Sequence, residues 1–176
     1  MCAYKTPYGC KTARGCGLFK GMKHIKQNDG RLNATIQKIG CFFISCALVA
    51  QYKTEKVLNT DDIESVWQWA KETKRIDALD NIKDSASIIN RFFKVLGGEG
   101  HFCEVGTFRD GVVNWYPAVI QKHRHIDAVI QKIHQAGPSR THFRLVNRKG
   151  EVIEDPHEPP IKSQGVYYSI LYAFIE

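Results

Sequence analysis

The chain has 176 residues, 43% hydrophobic, 24% charged and 11% aromatic, and carries a formal charge of +7. That length suits one compact domain and excludes a multidomain machine, while the composition excludes a disordered, collagen-like or disulfide-packed chain. No apolar run approaches the roughly 20 residues that cross a bilayer and the first residues carry no signal-peptide core, so the chain reads as cytoplasmic with no membrane partner.

The charge excess is all N-terminal: residues 1–40 hold 8 Lys and Arg against one acid, and residues 41–176 hold 17 of each. Residues 1–32 therefore read as a basic, Gly-rich lead, and 33–176 as the folded domain. Met22 can itself serve as a start, which makes residues 1–21 an extension. A nucleic-acid partner would bind through this lead, but the neutral charge of the remainder does not favour one. Cys2, Cys10 and Cys16 offer three thiolates to a metal site, but none has C-x-x-C spacing, so they read as plain thiols and no metal or other cofactor is expected.

Ile36–Tyr52 is an apolar stretch that predicts one buried helix, with Gly40 leading a loop into it. Thr60 with Asp61, Asp62 and Glu64 predicts the capped start of a second helix, its core stripe formed by Ile63, Val66, Trp67 and Ala70. Asp84 caps a third helix, in which Ile88, Ile89, Phe92, Phe93 and Leu96 form a stripe ending at Gly97-Gly98. His101–Val105 then reads as a strand and Arg109-Asp110-Gly111 as a turn. A fourth helix is expected beyond, with Ile126, Val129, Ile130 and Ile133 buried and Gly137-Pro138 as its stop. Phe143–Val146, a turn at Asn147–Gly150, Glu151–Glu154 and Val166–Ile175 complete a β-rich final third. Helices first and antiparallel strands afterwards predict an α+β domain.

One set of residues has the types needed for nucleophilic chemistry. A helix N-terminus favours a thiolate, and Cys41 opens the Gly40-led helix, with Gln37 four residues upstream as a candidate oxyanion donor. A base is needed, and His142 is the candidate. If Asn147–Gly150 is the hairpin turn, 146 pairs with 151, 144 with 153 and 142 with 155, which sets Asp155 opposite His142; a three-residue loop with a bulge would shift this by one.

Gln37, Gly40-Cys41 at a helix start, Gly137-Pro138 before a strand opening with His142, and Asp155-Pro156 after the next strand resemble the papain-like cysteine peptidases. The nearest likeness is to the peptidase domain that processes bacteriocin leaders within bacterial export transporters, and the chain is also similar to small phage- or plasmid-associated bacterial proteins. The resemblance covers residues 33–176. It implies a papain-like fold, Cys41 as nucleophile, His142 as base, Asp155 as the group that orients the base, and Gln37 in the oxyanion hole. The expected function is a cysteine hydrolase, a peptidase or amidase, acting on a peptide or protein substrate. The alternative is a catalytically inactive binding protein of the same fold with a protein or nucleic-acid partner.

Other residues are assigned structural places. His123, His125 and His134 read as a solvated helix start, Cys46 as core and Cys103 as core or half-buried. Trp67 fits the core stripe and Trp69 falls off it. Trp115, expected in a loop beside Tyr116-Pro117, is the tryptophan best placed to contact substrate.

Overall fold

The computed structural model describes residues 22–115, 126–135 and 140–176. The basic lead through residue 21, with Cys2, Cys10 and Cys16, lies outside the described residues, as do His123 and His125. The described residues form a mixed α+β fold whose helices precede its strands: α1 (Ala34–Ile39), α2 (Cys41–Thr54), α3 (Thr60–Glu72) and α4 (Ser85–Val95), then β1 (His101–Arg109), β2 (Val112–Trp115), β3 (Ala128–His134), β4 (Thr141–Val146), β5 (Val152–Glu154) and β6 (Gly165–Ile175).

The stretch expected as one helix is two, meeting at Gly40. Asn33 caps the first, its side chain accepting from the backbone of Thr35 and Ile36. Gly40 has an ordinary φ of −75°. Its requirement is therefore room and not a permissive backbone: a Cβ there would lie 2.5 Å from the Ile36 carbonyl oxygen and 2.8 Å from Ile36 Cγ2. α2 is buried continuously from Phe43 to Gln51, which explains why its sequence is apolar all round. The cap of α3 is Asn59, one residue before the expected Thr60. Its side chain accepts from the Asp62 amide while the Asp62 carboxylate accepts from the Asn59 amide. Asp84 caps α4 as expected by accepting from the Ser87 amide, and the chain leaves that helix at Gly97, whose φ of +73° favours glycine.

The strands form one six-stranded antiparallel sheet in the order β2-β1-β6-β3-β4-β5. β3 corrects the expected fourth helix. Ile126, Val129, Ile130 and Ile133 have helical spacing, yet Ala128 and Ile130 pack toward the helices while Ile126 and Val129 pack on the opposite face. A strand buried on both faces loses its period of two and can mimic a helix, and the β-branched residues carry the true preference. β2 is an addition to the expected elements, joined to β1 through Asp110 (φ 51°) and Gly111 (φ 80°), both left-handed as a two-residue hairpin requires. Trp115 ends β2, paired with Gly106, and does not sit in a loop; its side chain lies outside what is described.

α2 and α4 cover one face of the sheet. Between them lies the main core, centred on Phe43, Phe92, Phe102, Ile130 and Tyr172, with the Tyr172 hydroxyl donating to Ser85 Oγ at 2.8 Å. Trp67 and Cys46 are buried and Cys103 is half-buried, as their spacing predicts. The folded part begins before residue 33, since His24, Gln27 and Leu32 are all buried. Residues 26–28 run as a strap along the segment that follows β5. Lys26 pairs with Glu154 and donates to the Asp155 carbonyl at 2.8 Å, the Gln27 amide donates to the Pro156 carbonyl at 2.5 Å, and Asn28 exchanges hydrogen bonds with the Glu158 backbone. Lys26→Met removes the charge that joins strap to strand at a half-buried site. The expected loss is about 1–2 kcal/mol, read as a lowered urea midpoint at unchanged slope.

Candidate active site

Three elements meet at Cys41. α2 supplies the thiol from its first residue, half-buried. β4 supplies His142, 3% exposed, whose imidazolium the Cys41 sulfur helps to favour. The chain leaving β5 supplies Asp155, 4% exposed, whose Oδ1 stands 2.8 Å from His142 Nε2. With Nε2 taken up by the carboxylate, Nδ1 is the ring nitrogen left to face the thiol.

The contact between His142 and Asp155 is as expected, but the hairpin register is not. Leu145 pairs with Glu154 and Val146 with Val152, with a bulge between them. Extended by one residue, that register sets Asp155 beside Arg144 and not opposite His142. The offset of two residues keeps the pleat parity, so the carboxylate still reaches the imidazole diagonally. The carboxylate is fixed from both sides: Oδ1 also accepts from the His157 amide at 2.8 Å, and Oδ2 from the Ile161 amide at 3.2 Å.

Burial alone would pull the His142 imidazolium down. The hydrogen bonds to Asp155 and then to Cys41, with the charges of both, outweigh it and push the group up to about 9. Burial would likewise raise Asp155, but the His142 hydrogen bond and charge and the two backbone amides hold it below its ordinary value. The arrangement is thus built to keep an imidazolium between a carboxylate and a sulfur. In chemical terms, an imidazolium held this way can favour a neighbouring thiolate and carry a proton to a leaving group.

Gln37 is not part of this cluster. Its Nε2 donates to the Leu32 carbonyl at 2.5 Å, and the Gln37 backbone carbonyl accepts from Gln27 Nε2 at 3.1 Å. The short spacing of four places it within α1, one turn before the junction, and α1 ties the amide into its own connection. His134 lies exposed on β3, its ring 5.2 Å from that of Tyr167. Among the described residues no group of three or more His, Cys, Asp or Glu side chains could hold a metal.

Around the triad lie aromatic groups that the sequence did not single out. Phe42 stacks on Phe143 at 4.4 Å, so the residue after the thiol rests on the residue after the imidazole. A cavity of about 410 Å³ opens from Phe42, with Tyr168 and Ile170 as apolar lining and Glu104 and Arg109 among its polar groups. Adjacency to Cys41 and His142 in the sequence was the available signal, but neither Phe carries a chemical signature of its own. Compared with protein families, curated proteins and solved structures, the chain matches none.

Proposed function

We propose that the protein is a cysteine hydrolase of papain-like type, acting on a peptide or isopeptide bond. Support comes from one observation: a buried His142 held at 2.8 Å by Asp155, with the Cys41 sulfur at a helix start helping to raise the imidazolium. In this reading the Cys41 sulfur attacks the acyl carbonyl, a C–S bond forms, and the oxyanion is held by the Cys41 amide at the head of α2. His142 passes its proton to the leaving nitrogen as the C–N bond breaks. Water then attacks the thioester, giving up a proton to His142; the C–S bond breaks and the acid is released.

The test is alkylation by iodoacetamide from pH 4 to 9, read per cysteine by peptide mass spectrometry. Cys41 is expected to react at pH 5–6, where a thiol with the ordinary pKa of about 8.5 has almost no thiolate, and to lose that reactivity in His142→Ala. Cys46 and Cys103 are the internal controls, and burial pushes both thiols up. A profile for Cys41 that matches Cys103 would overturn the hydrolase reading.

The second reading, a non-hydrolytic binding protein with a protein or nucleic-acid partner, is favoured by the engagement of Gln37 with Leu32, which leaves the oxyanion one fewer donor. It predicts the unreactive profile, together with polyanion binding that is lost when residues 1–21 are removed.

A further inference from the structure

Of the three half-buried lysines among the described residues, Lys26 closes on Glu154 and Lys71 on Asp80. Lys132 has no carboxylate within ion-pair distance among those residues. Its Nζ instead stands over three rings, 5.2 Å from Tyr167, 5.4 Å from Tyr168 and 5.4 Å from Phe143.

The sheet builds this arrangement deliberately. Lys132 pairs with Phe143 on β4 and with Tyr168 on β6, while Ile133 pairs with Val166, so Tyr167 is an extra, unpaired residue. Such a bulge re-aims one side chain, and here it brings two consecutive tyrosines toward the same lysine. Beyond Tyr167 lies a second cation, the Arg109 guanidinium, 4.7 Å from the ring. The carboxylate nearest it, Asp110 at 3.6 Å, is 88% exposed and neutralises it weakly.

The patch is linked to the candidate site through the residues that follow its thiol and imidazole. Phe143 follows His142 and stacks on Phe42, which follows Cys41, and Phe42 and Tyr168 both line the cavity. Its one lining carboxylate, Glu104, lies on β1 at the level of Tyr172 and accepts from Ser85 Oγ at 3.2 Å, away from the Tyr168 level where Lys132 lies.

We propose that Lys132, presented by the Tyr167 bulge beside Phe143 and Tyr168, is a specificity residue that binds a carboxylate of the substrate, with the aromatic rings packing its aliphatic part. This rests on the hydrolase reading for the word substrate, although the subsite itself is independent of the thiol's ionisation. Two sources offer that carboxylate, an acidic side chain near the scissile bond or a free C-terminus, and both are tested.

The experiment labels Cys41 with acetyl-tetrapeptide chloromethyl ketones bearing Glu or Gln at one position and Ala elsewhere. A parallel arm measures protection from labelling by tetra-alanine as free acid or as amide. Runs at pH 8.5, where an ordinary thiol also ionises, read the subsite even if the low-pH iodoacetamide profile fails, so the two readings fail separately. The expected result is a preference of about tenfold for Glu over Gln at one position, or protection by the acid and not the amide. Either preference should fall to within about twofold in Lys132→Gln and turn toward Lys-bearing probes in Lys132→Glu. Ratios taken within one variant are insensitive to its folded fraction, and an inverted preference cannot arise from unfolding. Equal labelling by Glu and Gln probes with no protection by either tetrapeptide overturns the proposal, as does a preference that survives Lys132→Gln.

Discussion

Asp155→Ala is expected to lower the rate of Cys41 alkylation at pH 5.5 by about 100-fold, and Asp155→Asn by about tenfold. After burial, which acts in the opposite direction, the Asp155 hydrogen bond is the strongest influence on His142, raising it to about 9. Each unit of that rise is tenfold in the equilibrium that keeps the imidazolium available to a thiolate. Asn retains an oxygen that can orient the ring but lacks the charge, whereas Ala removes both. Ala also strands the His157 and Ile161 amides, so it should cost about 2–4 kcal/mol of stability as well.

The same pair sets a pH window for stability. His142 is raised in the fold, so its contribution is complete below the ordinary 6.5 and is lost as pH climbs through about 9. Asp155 is depressed, so its contribution is present above the ordinary 3.8 and is lost as pH falls through its lower folded value. Thermal midpoints of the parent should therefore be highest between about pH 4 and 6.5 and decline toward 9, and this shape should vanish in Asp155→Ala. A parent midpoint that instead rises from pH 6.5 to 9 would contradict the imidazolium assignment.

Gly40→Ala is the second large effect. The added methyl meets the Ile36 carbonyl oxygen at 2.5 Å, and this is backbone, which cannot swing aside as a flexible side chain would. The junction of α1 and α2 must open, at an expected cost of about 3 kcal/mol, or roughly 6–12 °C in thermal midpoint. Because Cys41 is the next residue, low-pH alkylation should fall along with stability. A variant as stable as the parent and equally reactive would show that the junction yields without displacing the thiol.

The sequence carried the elements whose signals are local. The Asp84 cap, the α4 stripe with its Gly97 exit, and the β4–β5 turn at Asn147–Gly150 are fixed by neighbours within a few residues, and they appear where expected. β3 has the spacing of a helix because burial on both faces erases its alternation, a property of the elements that flank it and not of its own residues. The candidate triad was legible by residue type and chain order, and Cys41, His142 and Asp155 do converge. For Asp155 the expected contact holds in a different register, because the bulge at Leu145/Val146 preserves parity while moving the pairing. Gln37 is close to Cys41 along the chain, but a helix turn and the Leu32 carbonyl decide where its amide goes. The strap at 26–28 and the lysine over three rings join positions far apart in sequence, and neither had a local signal to find.

The position of β6 in the sheet bears on when the candidate site can assemble. Among the described residues it is the last strand in chain order yet lies between β1 and β3, so the β1–β2 pair and the β3–β4–β5 group share one sheet by pairing with it. During synthesis the ribosome delivers the thiol early and the imidazole and carboxylate about a hundred residues later. Until residues 165–175 have also emerged, the two parts of the sheet have no common strand to close upon. A nascent chain thus carries the Cys41 thiol before the frame that brings His142 and Asp155 to it is complete.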